Sequence, residues 1–129
     1  MTRREVREEV FKMLFRVEFH QEDEMPEQLA LFFEEDHDLG KDMEYVQDKF
    51  NAILEHLEEI DALINESVDG WKTTRMAKVD LTLIRLAVYE IKYEELPKGV
   101  AINEAVEIAK KYGDTNSASF INGALAKIS

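Results

Sequence analysis

"VDLTLIRLAVYEI", residues 79–91, decides the fold. Wound as a helix, this stretch is apolar on almost every side, which marks a helix buried at the centre of a bundle rather than one on its surface. Asp80, Arg85 and Glu90 interrupt it, and in such a helix a charge must lie at an end or meet a partner. Upstream, Met43, Val46, Phe50, Ile53, Leu54, Leu57, Ile60 and Ile64 form one stripe at helical spacing, which predicts a single long amphipathic helix closed by Gly70. Downstream, Pro97 and Gly99 break the chain before "VAINEAVEIAKKYG", residues 100–113. Gly113 stops that helix, Thr115 to Ser117 offer capping groups, and Phe120, Ile121, Ala124, Leu125 and Ile128 drive the last helix. Toward the N-terminus, Val6, Val10, Met13, Leu14 and Val17 share one face of a first helix, and Pro26 suits the first turn of another in "DEMPEQLALFFEED", residues 23–36. No strand pattern, repeat or low-complexity linker interrupts this succession. The fold class is all-α.

The chain of 129 residues suffices for one domain with a real core. No apolar run approaches the roughly 20 residues of a membrane span, and no signal peptide precedes the first charged turn, so a cytoplasmic protein is expected. Zero cysteines exclude disulfides, thiolate metal sites and a thiol nucleophile. The formal charge of −12 is unevenly placed. Residues 1–17 carry five basic and three acidic side chains, whereas residues 18–66 carry two basic and seventeen acidic, net −15. Residues 97–129 return to a net of +1. An acidic block of this size repels nucleic acid, so any nucleic-acid contact must use the two termini, brought together by the fold. The block itself reads as a solvated helical face or, less often, a surface for a basic partner.

Catalytic chemistry is scarce. His20, His37 and His56 are far apart, and no serine, histidine and acid grouping stands out. Glu34 precedes His37 at the spacing of a ferritin-like metal-ligand pair, but no second such pair exists, since Ile53 precedes His56 and Val17 precedes His20. Neither a catalytic residue, a metal nor a cofactor is expected. The unusual feature is the opening, "TRREVREEVFKMLF", residues 2–15, which gathers arginines at the front of an acidic chain. Arginine near a helix N-terminus opposes the macrodipole at roughly 0.3–1 kcal/mol each, which hints at a use. Phe11, Phe15 and Phe19 follow a line outside the apolar stripe, nearly in register with Arg4. Such a row suits single-stranded RNA, with guanidinium groups on phosphates and rings under unstacked bases. Equally, the rings can pack against a second layer of helices.

Taken together, "WKTTRMAKVDLTLIRLAVYEI" at 71–91, "VAINEAVEIAKKYG" at 100–113 and "SFINGALAKI" at 119–128 resemble the NusB transcription antitermination factor family. The opening "RREVREE" resembles that family's N-terminal arginine motif. The resemblance implies one domain over residues 1–129, a compact bundle of about seven helices in two small subdomains, roughly 1–68 and 69–129. It further implies binding of boxA single-stranded RNA together with ribosomal protein NusE, within an RNA polymerase antitermination complex that passes terminators. By the same resemblance the RNA-contacting residues are Arg3, Arg4, Arg7 and Phe15 from the first region, and Asn116, Ser117, Phe120 and Asn122 from the second. Val6 stands where the family usually has a small alanine, and Phe15 where a tyrosine is common. Both changes leave phosphate contacts better supported than base-specific ones.

Read without the resemblance, the start of the last helix, with free amides near Lys110 and Lys111, is an anion site. Phe120 also fits the apolar stripe of its helix, and Asn122 with Gly123 reads as close helix packing around a buried amide. Trp71 and Arg75 read as a structural anchor between subdomains. Two other functions stay open. NusB-like domains also accompany RNA cytosine methyltransferases, although this chain has neither a Gly-rich nucleotide-binding turn nor a cysteine. A protein-interaction adaptor would use the acidic block and leave the arginines incidental.

Overall fold

In the computed structural model the described residues are 2–17, 42–68, 70 and 72–128. Among them are six α-helices, one 3-10 turn and no strand: α1 (Arg3–Val17), α2 (Asp42–Glu55), α3 (Leu57–Ser67), the turn Thr73–Arg75, α4 (Lys78–Tyr93), α5 (Lys98–Tyr112) and α6 (Ser117–Ala126). The helix expected from Pro26, the Glu34–His37 pair, Phe19, His20 and Trp71 lie outside the described residues. The chain forms two compact units, Met1–Ala52 and Ile53–Ser129. Within the second unit α3 packs on α4.

Within the first unit, α1 buries Val6, Val10, Phe11, Met13 and Leu14. Its start is fixed by a reciprocal capping box. The backbone N–H of Glu5 donates to Thr2 Oγ1 at 3.1 Å, and the N–H of Thr2 donates to Glu5 Oε1 at 3.0 Å. In α2, Val46 and Phe50 are fully buried, and Lys49 lays its stem inward with its ammonium 5.9 Å from the Tyr45 ring centroid.

The single long helix expected over 43–64 is in fact two. At His56 the backbone leaves helical geometry (φ −102°, ψ 8°), and its N–H turns back to the Ile53 carbonyl, three residues earlier. The stripe nevertheless continues across the break, with Ile53, Ile60 and Ile64 buried. A one-residue tightening leaves the apolar face in register, so periodicity cannot reveal it.

In the second unit α4 is the hub, as its all-round apolarity requires. Leu83, Ile84 and Val88 are fully buried, and α3, α5 and α6 all pack against it. Burial of each such side chain stabilises by about 1.5–3 kcal/mol. On α5 the buried row is Ala101, Ala105, Ile108 and Ala109, mostly alanine, and α5 packs closely with α6. The helix starts one residue after Pro97, so Gly99 lies inside its first turn. The charge expected to need a partner finds one: Arg85 Nε donates to Asp61 Oδ1 at 2.8 Å and Nη2 to Oδ2 at 2.7 Å, a two-pronged clamp from α4 to α3. Gly70 turns the chain with φ +80°, a left-handed conformation glycine adopts at little cost. Asn65 then accepts the Thr73 N–H at 2.8 Å and ties the 3-10 turn to α3. Lys98, at the start of α5, donates to the Ala126 carbonyl at 2.8 Å and to that of Ile128, capping the end of α6 with a cation.

Candidate nucleic-acid interface

The N-terminal patch begins at the capping box. Arg3 and Arg4 occupy the first turn of α1 and are exposed, and Arg7 one turn on is half-buried. Glu5 is the countercharge that makes cations tolerable at this helix end. Its carboxyl is held below the usual range, first by the Thr2 backbone N–H and then by the Thr2 hydroxyl. Sequence reasoning missed this box, although its signature, Thr2 with Glu5 three residues on, was available. Phe11 leaves the expected aromatic row: it is 2% exposed and belongs to the core. Phe15 is half-buried beside it, ring centroids 5.8 Å apart and tilted by 31°. One aromatic edge, rather than a row, remains at this surface among the described residues.

At the second patch the four expected residues separate. Asn116 is exposed at the start of α6. Phe120, four residues later and therefore on the same face, is half-buried. Ser117 does not belong with them: at 2% exposure its side chain is turned into the protein. Asn122 lies on the opposite flank of α6. There, with Ala118 and Ser119, it borders a groove of about 530 Å³ against Ile102, Asn103 and Val106 of α5. The buried amide expected for Asn122 is not found, because the residue is exposed. Nor does Gly123 permit close packing, since a Cβ built there meets nothing within 4 Å. Around the expected anion site at the start of α6, acidic groups already engage part of the polar surface. The Asp114 carboxylate already accepts the Asn116 N–H at 2.8 Å, and Lys110 pairs with Glu107 at 3.2 Å. Arg75, expected to anchor, is exposed.

One feature that sequence reasoning missed joins α3 to α4. The His56 ring stacks on Tyr93 at 4.2 Å, Tyr89 lies 5.3 Å from Tyr93, and the Tyr93 hydroxyl donates to Glu59 Oε2 at 2.6 Å. That bond, followed by the one to His56, holds the Glu59 carboxyl below its usual range. The four-residue spacing of Tyr89 and Tyr93 was the available signal; His56 enters only because the helix breaks there.

Among the described residues no group of three or more histidine or acidic side chains could hold a metal ion. No helix among them is long and apolar enough to cross a membrane.

By class this is an all-helical protein that exposes arginines on a capped helix start in its first unit and an amide at the start of α6 in its second. The NusB family model matches residues 4–129, and the chain belongs to that family. It is 57% identical over 129 residues to a transcription antitermination protein NusB of Agathobacter rectalis, covering 98% of each chain. A NusB of Lachnoclostridium phytofermentans is 50% identical over 130 residues, covering 99% of this chain and 98% of the relative. Among solved structures, T. maritima NusB matches with a TM-score of 0.86 at 39% identity, over 99% of this chain and 90% of that one. A chain from a complex of the antitermination factors NusB and NusE with double-stranded RNA matches with a TM-score of 0.80 at 25% identity, over 98% and 94%.

Proposed function

We propose that this protein acts in transcription antitermination: it binds boxA of nascent ribosomal RNA together with ribosomal protein NusE and so keeps RNA polymerase from terminating. Such a role is cytoplasmic and requires no catalysis. The observation that carries the reading is the family match over residues 4–129, together with Arg3 and Arg4 exposed on the capped first turn of α1. Arg3, Arg4 and Arg7 would meet phosphates, while Phe15, Asn116 and Phe120 would meet bases or sugars. Asn122, on the other flank of α6, contributes to RNA only if the strand also reaches the groove beside α5. Ser117 acts from beneath the surface. The related complex holds double-stranded RNA, whereas half-exposed rings favour an unpaired strand, so both forms belong in the test.

The test is a titration of boxA RNA, single-stranded and as a duplex, with this protein, with NusE and with both, at two salt concentrations. The mixture should bind the single strand at least about tenfold tighter than either protein alone, a coupling of roughly 1.4 kcal/mol. Equal affinity with and without NusE would favour a stand-alone RNA binder. No RNA binding in any mixture would favour a protein-interaction adaptor.

A further inference from the structure

Along α5, Gly99, Ile102, Asn103 and Val106 recur at spacings of three and four, so they share one face of the helix, beside the buried alanine row. That face forms one wall of the groove of about 530 Å³, and Ala118, Ser119 and Asn122 of α6 form the other. The volume lies within the roughly 300–1,000 Å³ of small-ligand sites. Ile102, Val106 and Ala118 are half-buried and offer aliphatic carbon, whereas Asn103 and Asn122 are exposed, one amide on each wall. Among the described residues no charged side chain lines the groove. Gly99 leaves its α5 wall open, since a Cβ built there meets nothing within 4 Å.

This lining selects a kind of ligand. A phosphate is held chiefly by cations, which the groove lacks. A nucleobase has a flat ring face and an edge of donors and acceptors. Aliphatic carbon suits the face, and an asparagine amide, which both donates and accepts, suits the edge. A polar row also leads into the groove from the patch at the start of α6. Asn116, Ser119 and Asn122 recur every three residues and all are exposed. Such neighbours on a helix stand about 5–6 Å apart at Cβ. Asn116 shares its face with Phe120, while Ser119 and Asn122 border the groove, so a strand that meets Asn116 can follow the row around α6.

We propose that the groove between α5 and α6 seats one unstacked base of the RNA strand: its face rests on Ile102, Val106 and Ala118, and the amides of Asn103 and Asn122 hydrogen-bond its edge. The site rests on the RNA-binding reading above and adds to it α5, which that reading leaves without a role. It also gives Asn122, on the other flank from Phe120, a contact of its own.

The experiment pairs variants of the full chain, with NusE, against boxA RNA in which each nucleotide in turn lacks its base. Asn103→Ala and Asn122→Ala should each weaken binding about five- to tenfold, as loss of a base-edge contact does. Neither amide meets a phosphate, so the slope of log affinity against log salt should not change. Gly99→Leu fills the open wall and should weaken binding to a similar degree. The decisive readout is coupling. One abasic position should cost the unmodified protein about tenfold, yet add less than about twofold in Gly99→Leu and in the double variant Asn103→Ala with Asn122→Ala. Urea unfolding checks that each variant is folded, and the asparagine variants carry the test if Gly99→Leu is not. Folded variants that bind RNA like the unmodified protein, or that couple to no abasic position, would overturn the proposal. So would weaker binding to NusE without RNA, which would make the groove a protein surface. If the unmodified protein with NusE binds no boxA RNA, the functional reading falls and the site with it. Intact RNA binding with uncoupled groove variants removes the site alone.

Discussion

Glycine at position 123 is costly in the interior of a helix, by roughly 0.5–1 kcal/mol relative to alanine. Nothing in the second unit requires it, since an added Cβ meets open space. Gly123→Ala should therefore raise stability by about that amount, read as a higher urea midpoint with an unchanged slope. A destabilised variant would mean that the helix is crowded there after all. Asp80 gives the opposite kind of residue, one whose environment disfavours its charge. Its carboxyl titrates higher in the folded protein than the ordinary 3.8, so the native state holds the proton more tightly than the unfolded chain. Stability then falls as pH rises from 3.8 through the raised folded value, and the penalty stands in full above it. Asp80→Asn should remove that fall, giving a flatter unfolding midpoint across this window and equal or greater stability at neutral pH. A variant less stable than the parent at pH 7 would show that the charge is held by a partner.

Elements in this protein are stabilised by a few side-chain contacts with clear purposes. The capping box of α1 lets a helix begin with cations, so Thr2→Ala should cost about 0.5–2 kcal/mol locally. That loss should appear as faster amide exchange over the first turn and weaker RNA binding, with α4–α6 unaffected. The α3–α4 clamp is different in kind. Arg85 is 13% exposed and Asp61 24% at their side chains, so the pair is partly shielded from water. Arg85→Met should cost roughly 1.5–3 kcal/mol of stability, as expected for a charged hydrogen-bonded partner. RNA binding by the folded variant should be preserved. Loss of RNA binding alone would move Arg85 out of the framework and into the interface.

Across the whole molecule the net charge of −12 opposes binding to a polyanion, and cations that meet RNA must act locally. Each phosphate contact on a single strand adds about 0.7 to the slope of log affinity against log salt. Replacing Arg3 and Arg4 together by alanine should therefore flatten that slope by about 1.4 and leave the unfolding midpoint nearly unchanged. An unchanged slope would mean that these arginines touch no phosphate. The acidic stretch 18–66 predicts a further effect of salt. Moderate salt screens its repulsion while it weakens the phosphate contacts, so the slope should be shallower at low salt than at high salt.

The periodicity of apolar residues determined much of this protein by itself. Val10, Phe50, Ile64 and Leu83 go inside because their spacing leaves no other face to bury, and the all-round apolarity of 79–91 makes that helix the hub. Arg85 had to find a partner for the same reason. The capping box at Thr2 and Glu5 is equally local and was readable from four residues. Tertiary structure decided what pattern cannot carry. A stripe that stays in register through His56 hides the break there. Phe11 lies off the stripe but inside a wider buried arc, so spacing alone left it open between a surface row and the core. Whether Asn122 and Gly123 are packed or exposed depends on which flank of α6 the neighbouring helix covers. Ser117 looks like a surface cap until Gly113, which closes the preceding helix without a side chain, lets it come in close. Periodicity states which side chains leave water; only the packing of helices against one another states which partner each of them meets.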